Sequence, residues 1–299
     1  MPNARQIYRL RKGVLAASIA AAAIAVSPST ASAAPLAISG NWSGYIASGS
    51  NFSSVAGSWV QPALSCSSGS SYSAYWVGLG GDSGQTNALE QAGTQSDCST
   101  SGQAYYYAWY ELVPAGPATL NLPIKPGDRI SARVTVNGSA VTVWLADQTS
   151  GQSVTRTVQM SAPDTSTAEW IAEAPSACDQ TGSCQPLPLA SFGTVSFTNA
   201  SATANGHTGP ISDPAWTAQP VALSPDASGA VSYSQTGAVG AEPSQLSSDG
   251  TSFSITSAAG GGTSAASSGD PGAGYYYGAG GGPGAGYYYS WGSGDGYPY

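Results

Sequence analysis

The stretch Arg129-Ile-Ser-Ala-Arg-Val-Thr-Val-Asn-Gly-Ser-Ala-Val-Thr-Val-Trp-Leu-Ala-Asp147 decides the fold class. Two runs rich in Val, Ile, Thr and Trp suit a pleated, half-buried surface, and Asn137-Gly138 between them marks a tight hairpin turn. Outward from this hairpin, similar short runs recur from residue 40 to about 256, separated by clusters of Gly, Pro, Ser and Asn. The candidate strands on its N-terminal side are 41–47, 54–60, 74–79, 87–92, 104–113 and 119–122. The hairpin supplies 129–136 and 140–147, and 153–160, 168–172, 193–198, 221–223, 230–235 and 252–255 follow. No segment beyond the N-terminal leader shows helical periodicity. Many short antiparallel strands in one span predict an all-β sandwich of two large antiparallel sheets, jelly-roll or concanavalin-like, occupying residues 34–256.

The flanks read differently. Arg5, Arg9, Arg11 and Lys12 precede an apolar run over 13–26, then Pro28 and Ala31-Ser-Ala33. This is the pattern of a secretory signal peptide, residues 1–33, with cleavage before Ala34. The apolar run is too short for a membrane-spanning helix, and no other stretch offers one. At the far end, Pro271-Gly-Ala-Gly-Tyr-Tyr-Tyr repeats at Pro283 inside a Gly- and Tyr-rich segment, 257–299. Glycine at this density cannot order a packed core, so the tail is expected to be disordered. Tyrosine stacking onto cell-wall polysaccharide is one use for it, and a flexible tail without a binding role is the other.

Only 8% of the residues are charged, so the surface must be covered by neutral polar groups. Without the leader, Lys125, Arg129, Arg133 and Arg156 face 16 Asp and Glu, a net charge of −12. No basic patch is available for nucleic acid. A lysine-poor, acid-rich chain suits an acidic medium, because protonating the carboxylates leaves few cations to repel one another. The same composition also fits a secreted protein whose source merely favours it. Cys66, Cys98, Cys178 and Cys184 form an even set in an exported chain, which argues for two disulfides. Of the three connectivities, Cys66–Cys98 and Cys178–Cys184 are favoured because each pair flanks a loop between strand-like runs. No C-x-x-C occurs and His207 is the only histidine, so neither a metal nor another cofactor is expected.

The residues left for chemistry are carboxylates, amides and aromatics. A Ser-His-Asp triad would need His207, which lies in the loop context Asn205-Gly-His-Thr-Gly-Pro210, and no nucleophile elbow accompanies it. In 105–111 the period of two places Tyr105, Tyr107, Trp109 and Glu111 on one face, like the lining of an open cleft. In 167–173, Glu169, Ile171 and Glu173 share a face, and a glutamate there is costly to bury unless hydrogen-bonded. Trp76-Val-Gly-Leu-Gly-Gly-Asp-Ser-Gly-Gln-Thr-Asn-Ala-Leu-Glu-Gln91-Ala-Gly93 reads as a strand, a glycine-rich turn and a second strand carrying Gln91. A glutamine cannot ionise, yet it carries the donors that hold a developing oxyanion.

Eight motifs in order carry a resemblance to the glutamic peptidases, or eqolisins, acid endopeptidases with a Gln/Glu dyad. They are Asn41-Trp-Ser-Gly-Tyr45, the Val-x-Gly-x-Trp-Val-x-Pro run from Val55 to Pro62, Trp76-Val-Gly78 and Leu89-Glu-Gln-Ala-Gly93. Ala108-Trp-Tyr-Glu111, Pro126-Gly-Asp128, Ala168-Glu-Trp-Ile-Ala-Glu173 and Phe192-Gly-Thr-Val-Ser-Phe-Thr-Asn199 complete them. The resemblance implies curved sheets with a cleft on a concave face, Gln91 and Glu169 as the catalytic dyad, and Trp42, Trp76, Trp109 and Glu111 as substrate-binding or cleft-supporting residues. It implies protein or peptide substrates and general-base activation of water by Glu169, whose reference pKa is about 4.3.

Two positions depart from the family. Fungal members place aspartate in the turn after the Trp-Val-Gly strand, where this chain has glycine with Asp82 about two residues on. A second aspartate, two before the Ala-Trp-Tyr-Glu tryptophan, is here Tyr107. The hydrogen-bond shell around the dyad is therefore altered. The chain is expected to be secreted and to act as a monomer. The rival readings are a jelly-roll glycoside hydrolase using Glu111 and Glu169 as paired carboxylates, and a non-catalytic wall- or carbohydrate-binding module.

Overall fold

The computed structural model describes Met1 and residues 34–67, 69–82, 86–178, 184–225, 240–258 and 277–278. The strands are β1 (Ala37–Ser39), β2 (Trp42–Ser48), β3 (Phe52–Val60), β4 (Ser71–Gly80), β5 (Leu89–Cys98), β6 (Ala104–Val113) and β7 (Ala118–Pro123). The central hairpin is β8 (Arg129–Asn137) and β9 (Ala140–Asp147), followed by β10 (Gln152–Gln159), β11 (Thr167–Glu173), β12 (Ser176–Cys178) and β13 (Cys184–Pro186). Then come β14 (Thr194–Ala204), β15 (His207–Gly209), β16 (Thr217–Leu223), β17 (Ala241–Pro243), β18 (Phe253–Ser257) and β19 (Tyr277–Gly278). No described helix is long and apolar enough to cross a membrane.

The expected all-β sandwich is present, with one difference: its two layers belong to a single 16-stranded sheet. Hydrogen bonds run in the order β10-β9-β8-β3-β14-β18-β17-β16-β2-β11-β4-β5-β6-β7, with β1 beside β16 and β15 beside β14. The long pairings are antiparallel, and the short β1–β16 ladder is parallel. One layer, around β8, β9, β3 and β14, contributes Ile130, Val134, Val143, Leu145, Trp59 and Phe197 to the core. The other, around β11, β4 and β5, contributes Tyr75, Val77, Leu79, Ala92 and Trp170. Trp59 and Phe197 pack at 5.4 Å between ring centres, and Phe197 stacks on Phe253 at 5.3 Å. Trp170 Nε1 donates to the Ala56 carbonyl at 2.8 Å, satisfying the indole N–H between the layers.

The neutral composition has a visible use on the sheet's outer surface. Ser58 pairs with Ser131, Thr142 with Thr157 and Ser196 with Ser254, each at 2.9 Å. These cross-strand hydroxyl pairs satisfy polar groups without charge, so protonation of carboxylates leaves them unchanged.

Several boundaries moved. The β8–β9 turn centres on Gly138 and Ser139, because Asn137 already pairs with Ala140; Gly138 takes φ +59°. Strand β5 continues to Cys98 through a polar run that sequence periodicity does not favour. That run is buried because it is paired: Trp59 Nε1 donates to Thr94 Oγ1 at 3.0 Å and Gln61 Nε2 to Ser96 Oγ at 2.7 Å. Strand β14 outruns its expected end at 198 by bulging between Thr198 and Ser201. His207, read as a loop residue, lies on β15 and sits 2.9 Å from Asp213 Oδ2. Both expected disulfides form, Cys66–Cys98 and Cys178–Cys184. The expected strand 230–235 and the leader, apart from Met1, lie outside the described residues. So does the expectation of a disordered tail, apart from Ser257, Ala258 and the pairing of Tyr277–Gly278 with β12.

Candidate active site

Register brings the implied dyad into one line. Glu169 of β11 pairs with Gly78 of β4, Gly78 with Gln91 of β5, and Gln91 with Glu111 of β6. In a pleated sheet these four residues project on the same face, the one opposite Tyr75, Val77 and Trp170. Gln91 and Glu169 are thus two strand spacings apart, roughly 9–10 Å between backbones. The residue between them has no side chain. A Cβ built at Gly78 would lie 2.9 Å from Trp76 Cζ3 and 3.2 Å from Gln91 Cβ, so the Trp76 ring closes over this position and only glycine fits beneath it. Gly78→Ala should displace the Trp76 ring and the Gln91 side chain and lower kcat by at least about tenfold. Steady-state kinetics with a thermal melt as control checks this outcome.

Gln91 is held by its neighbour: its Nε2 donates to Glu111 Oε2 at 2.8 Å. Glu111, implied as a cleft residue, therefore also orients the amide. Glu169 is fully buried, and among the described residues neither of its oxygens has a partner in good hydrogen-bond geometry. Burial pushes its pKa well above the ordinary carboxylate value; Thr167 opposes this, while Asp82, Glu90 and Asp164 add to it. The reference value of about 4.3 therefore does not describe Glu169 in this closed environment. A carboxyl left without such a partner in a sheet interior is costly to the fold.

The tryptophans surround the row. Trp42 and Trp76 meet edge to face at 5.1 Å between ring centres, and Trp109 pairs across Gly93 beside Trp76. Trp109 is buried, and among the described residues its indole nitrogen has no hydrogen-bond partner. A recess lined by Ala74, Gln95, Trp109, Glu111, Glu173 and two prolines reaches the same face.

Sequence reading left Glu173 without a role. Its Oε1 accepts from Asn41 Nδ2 at 2.9 Å and its Oε2 from Trp76 Nε1 at 2.8 Å. Burial pushes its pKa up to about 8 against the pull of these donors. The signal was present in the shared face of Glu169, Ile171 and Glu173, but nothing local identified Asn41 as a partner across the sheet.

The two departures from the family pattern also become concrete. Asp82 follows Gly80 and Gly81, whose φ angles of +83° and +91° favour glycine, and it acts electrostatically on Glu169. Burial lifts Asp82 itself to about 6. Tyr107 Oη donates to Asp97 Oδ2 at 3.1 Å, and Gln95 Nε2 donates to Asp97 Oδ1 at 2.9 Å. Tyr107 thus reaches a carboxylate on the neighbouring strand in place of supplying one. Among the described residues no group of His, Cys, Asp and Glu is arranged to hold a metal ion.

The all-β fold that carries this row matches known proteins over most of the chain. The Peptidase A4 family profile matches residues 40–242. The chain belongs to that family and is a peptidase, a hydrolase of peptide bonds. It is 33% identical to Aspergillopepsin-2 of Aspergillus niger over 195 residues, 57% of this chain and 66% of the relative. It is also 33% identical to Scytalidopepsin B of Scytalidium lignicola over 186 residues, 59% of this chain and 68% of the relative. It thus spans about two thirds of the length of each. Among solved structures, scytalido-glutamic peptidase with a transition-state analogue inhibitor superposes with TM-score 0.60 at 30% identity, covering 73% of this chain and 98% of that one. SCP-B, an eqolisin in complex with the tripeptide Ala-Ile-His, superposes with TM-score 0.57 at 27% identity, again covering 98% of its chain.

Proposed function

We propose that the protein is a secreted acid endopeptidase in which Glu169 and Gln91 form the catalytic dyad. The observation that carries this reading is the row Glu169–Gly78–Gln91, with its side-chain-free middle position. An acid and an amide held on either side of one position can act together on a water and a scissile carbonyl admitted between them as the Trp76 ring shifts. Glu169 takes a proton from the water as it attacks. The Gln91 amide donates to the tetrahedral oxyanion, worth roughly 3 kcal/mol for such a donor. Glu169 then passes the proton to the leaving nitrogen. Burial is the largest cause of the raised Glu169 pKa, and entry of water and substrate removes part of it. The ionised base is accordingly a property of the hydrated site.

Trp42, Trp76 and Trp109 supply apolar walls for an extended peptide, and the free Trp109 N–H is a donor available to its backbone. The peptide-bound and inhibitor-bound relatives support peptide binding on this fold. The two disulfides suit an oxidising, extracellular setting, with residues 1–33 as the leader, 34–256 as the catalytic domain and 257–299 as an appended tail. The glycosidase reading is disfavoured because the Glu111 carboxylate is engaged with the Gln91 amide, 2.8 Å from its Nε2, and because the family matched is one of peptidases.

The test is proteolysis of casein at about pH 3–4, a range set by carboxylate titration, with a β-glucan as parallel substrate. Cleavage of casein alone is expected, and Gln91→Ala should lower kcat by roughly 10²–10³. Glucan hydrolysis, or full casein turnover by Gln91→Ala, would overturn the assignment.

A further inference from the structure

Resting on that reading, we infer that Glu173 is a positioning residue for the dyad, acting through Trp76. Glu173, Trp76 and Gly78 form a line on the site-facing side of the sheet. Glu173 pairs with Ala74 on β4, one row below Trp76, and Gly78 lies one row above it. The Trp76 indole spans these rows. Its nitrogen end is fixed by the 2.8 Å bond to Glu173 Oε2. Its far edge, at Cζ3, lies against the glycine position that separates Gln91 from Glu169. Turning the ring about its side-chain bonds would move that edge into or away from the place where water and carbonyl must sit.

The clamp is itself anchored. Asn41 Nδ2 donates to the second Glu173 oxygen at 2.9 Å, and Ser39 Oγ donates to Asn41 Oδ1 at 3.2 Å. Ser39 Oγ also accepts from the Trp42 backbone N–H at 3.1 Å, and the Ala174 N–H donates to the Asn41 carbonyl at 2.9 Å. Trp42 in turn packs edge to face on Trp76. Glu173 is fully buried, and both of its oxygens accept hydrogen bonds, so its geometry is over-determined. Glu169 is equally buried, and among the described residues no donor stands in hydrogen-bond geometry to its oxygens. The two glutamates of one strand face are therefore built differently: one is held, and the other is left available.

The test compares Glu173→Ala, Glu173→Gln, Trp76→Phe and the double variant Trp76→Phe/Glu173→Ala, by kcat and KM on one peptide, with circular dichroism melts in acid. Trp76→Phe keeps an aromatic side chain but removes both the N–H that Glu173 holds and the far edge of the indole at Gly78, so it reports loss of the clamped ring, while Glu173→Ala reports loss of the clamp alone. Both Trp76→Phe and Glu173→Ala should lower kcat by up to about 100-fold, the scale of a 1 Å misplacement, with KM little changed. The double variant should lose no more than the worse single variant, because both break one chain of contacts. Glu173→Gln should retain kcat close to wild type, since its carbonyl can still accept from Trp76 once Asn41 turns its amide. Unchanged kcat in Trp76→Phe, a loss confined to KM, or losses that multiply in the double variant would overturn the inference, and Trp76→Phe decides it even if Glu173→Ala does not fold. An inactive wild type would refute the dyad reading, whereas an active wild type with active clamp variants would refute only this inference.

Discussion

Glu169→Gln should reduce kcat/KM on a peptide substrate by roughly 10²–10⁴, the usual contribution of a positioned acid–base group, and leave the fold intact. Glutamine matches glutamate in shape but cannot carry the proton from water to the leaving nitrogen. The fold should tolerate it because Glu169 is fully buried and, among the described residues, no donor is placed in hydrogen-bond geometry to either of its oxygens. At neutral pH the variant should be the more stable protein, since a group whose ionisation the fold penalises has been removed. Loss of activity with an unchanged or raised melting temperature is therefore the expected pair of results. A fluorogenic peptide assay together with thermal melts at pH 4 and pH 7 measures both. Near-wild-type turnover would remove Glu169 from the mechanism. Loss accompanied by unfolding would make it structural.

Raising the pH from about 4 towards 8 should unfold the protein. Glu90 and Glu173 are pushed up to about 8 and Asp82 and Asp97 to about 6, in each case chiefly by burial. A carboxyl whose folded pKa is raised is more protonated in the folded state than in the unfolded one. Its contribution is fully present below the unfolded value, near 4 to 4.5, and is lost as pH rises to the folded value. For Glu90 and Glu173 the change from 4.5 to about 8 corresponds to roughly 5 kcal/mol each. Together this rivals the whole stability of an ordinary domain, about 5–15 kcal/mol. Asp147, Asp213 and Asp249 have lowered values, held down by hydrogen bonds to loop N–H and hydroxyl groups, and act in the opposite sense. What they contribute is lost only as pH falls below the ordinary aspartate value of 3.8. A pH titration followed by far-UV circular dichroism should show a cooperative loss of strand signal between about pH 6 and 8. Glu90→Gln or Glu173→Gln should move the midpoint upward. A signal flat to pH 9 would contradict it.

These two predictions share one cause. Glu169, Glu173 and Glu90 are carboxyls in a sheet interior, and burial favours their neutral forms. The lysine-poor composition is consistent with a protein that keeps its charge low in acid, and the paired hydroxyls of the outer surface complete that design. The aspartates with lowered values, Asp147, Asp213 and Asp249, lie at or beside turns, where backbone N–H groups bind them.

Much of the fold was legible because it rests on local signals. Strands 104–113 and 140–147 were bounded to the residue by their composition and turns. The faces of β6 and β11 followed from a period of two, and the register agrees with them. The polar half of β5 was not legible, because Thr94 and Ser96 find their partners, Trp59 and Gln61, in the opposite layer. The shared path of the two layers was hidden for a similar reason: β17 is three residues long and pairs by position rather than by pattern.

By itself the sequence determined the strand alternation, an even cysteine set for which it favoured one of three pairings, and the ordered motifs that place Gln91 and Glu169 in a family. Those are properties of residue type and spacing along the chain. Only the tertiary structure decided that Gly78 lies between the two, that Glu111 holds Gln91, and that Glu173 reaches Asn41 and Trp76. Each of these is a contact between strands far apart in sequence, set by register across the sheet. The elevated carboxyl pKa values belong to the same level, because they come from the burial that register and layer packing create.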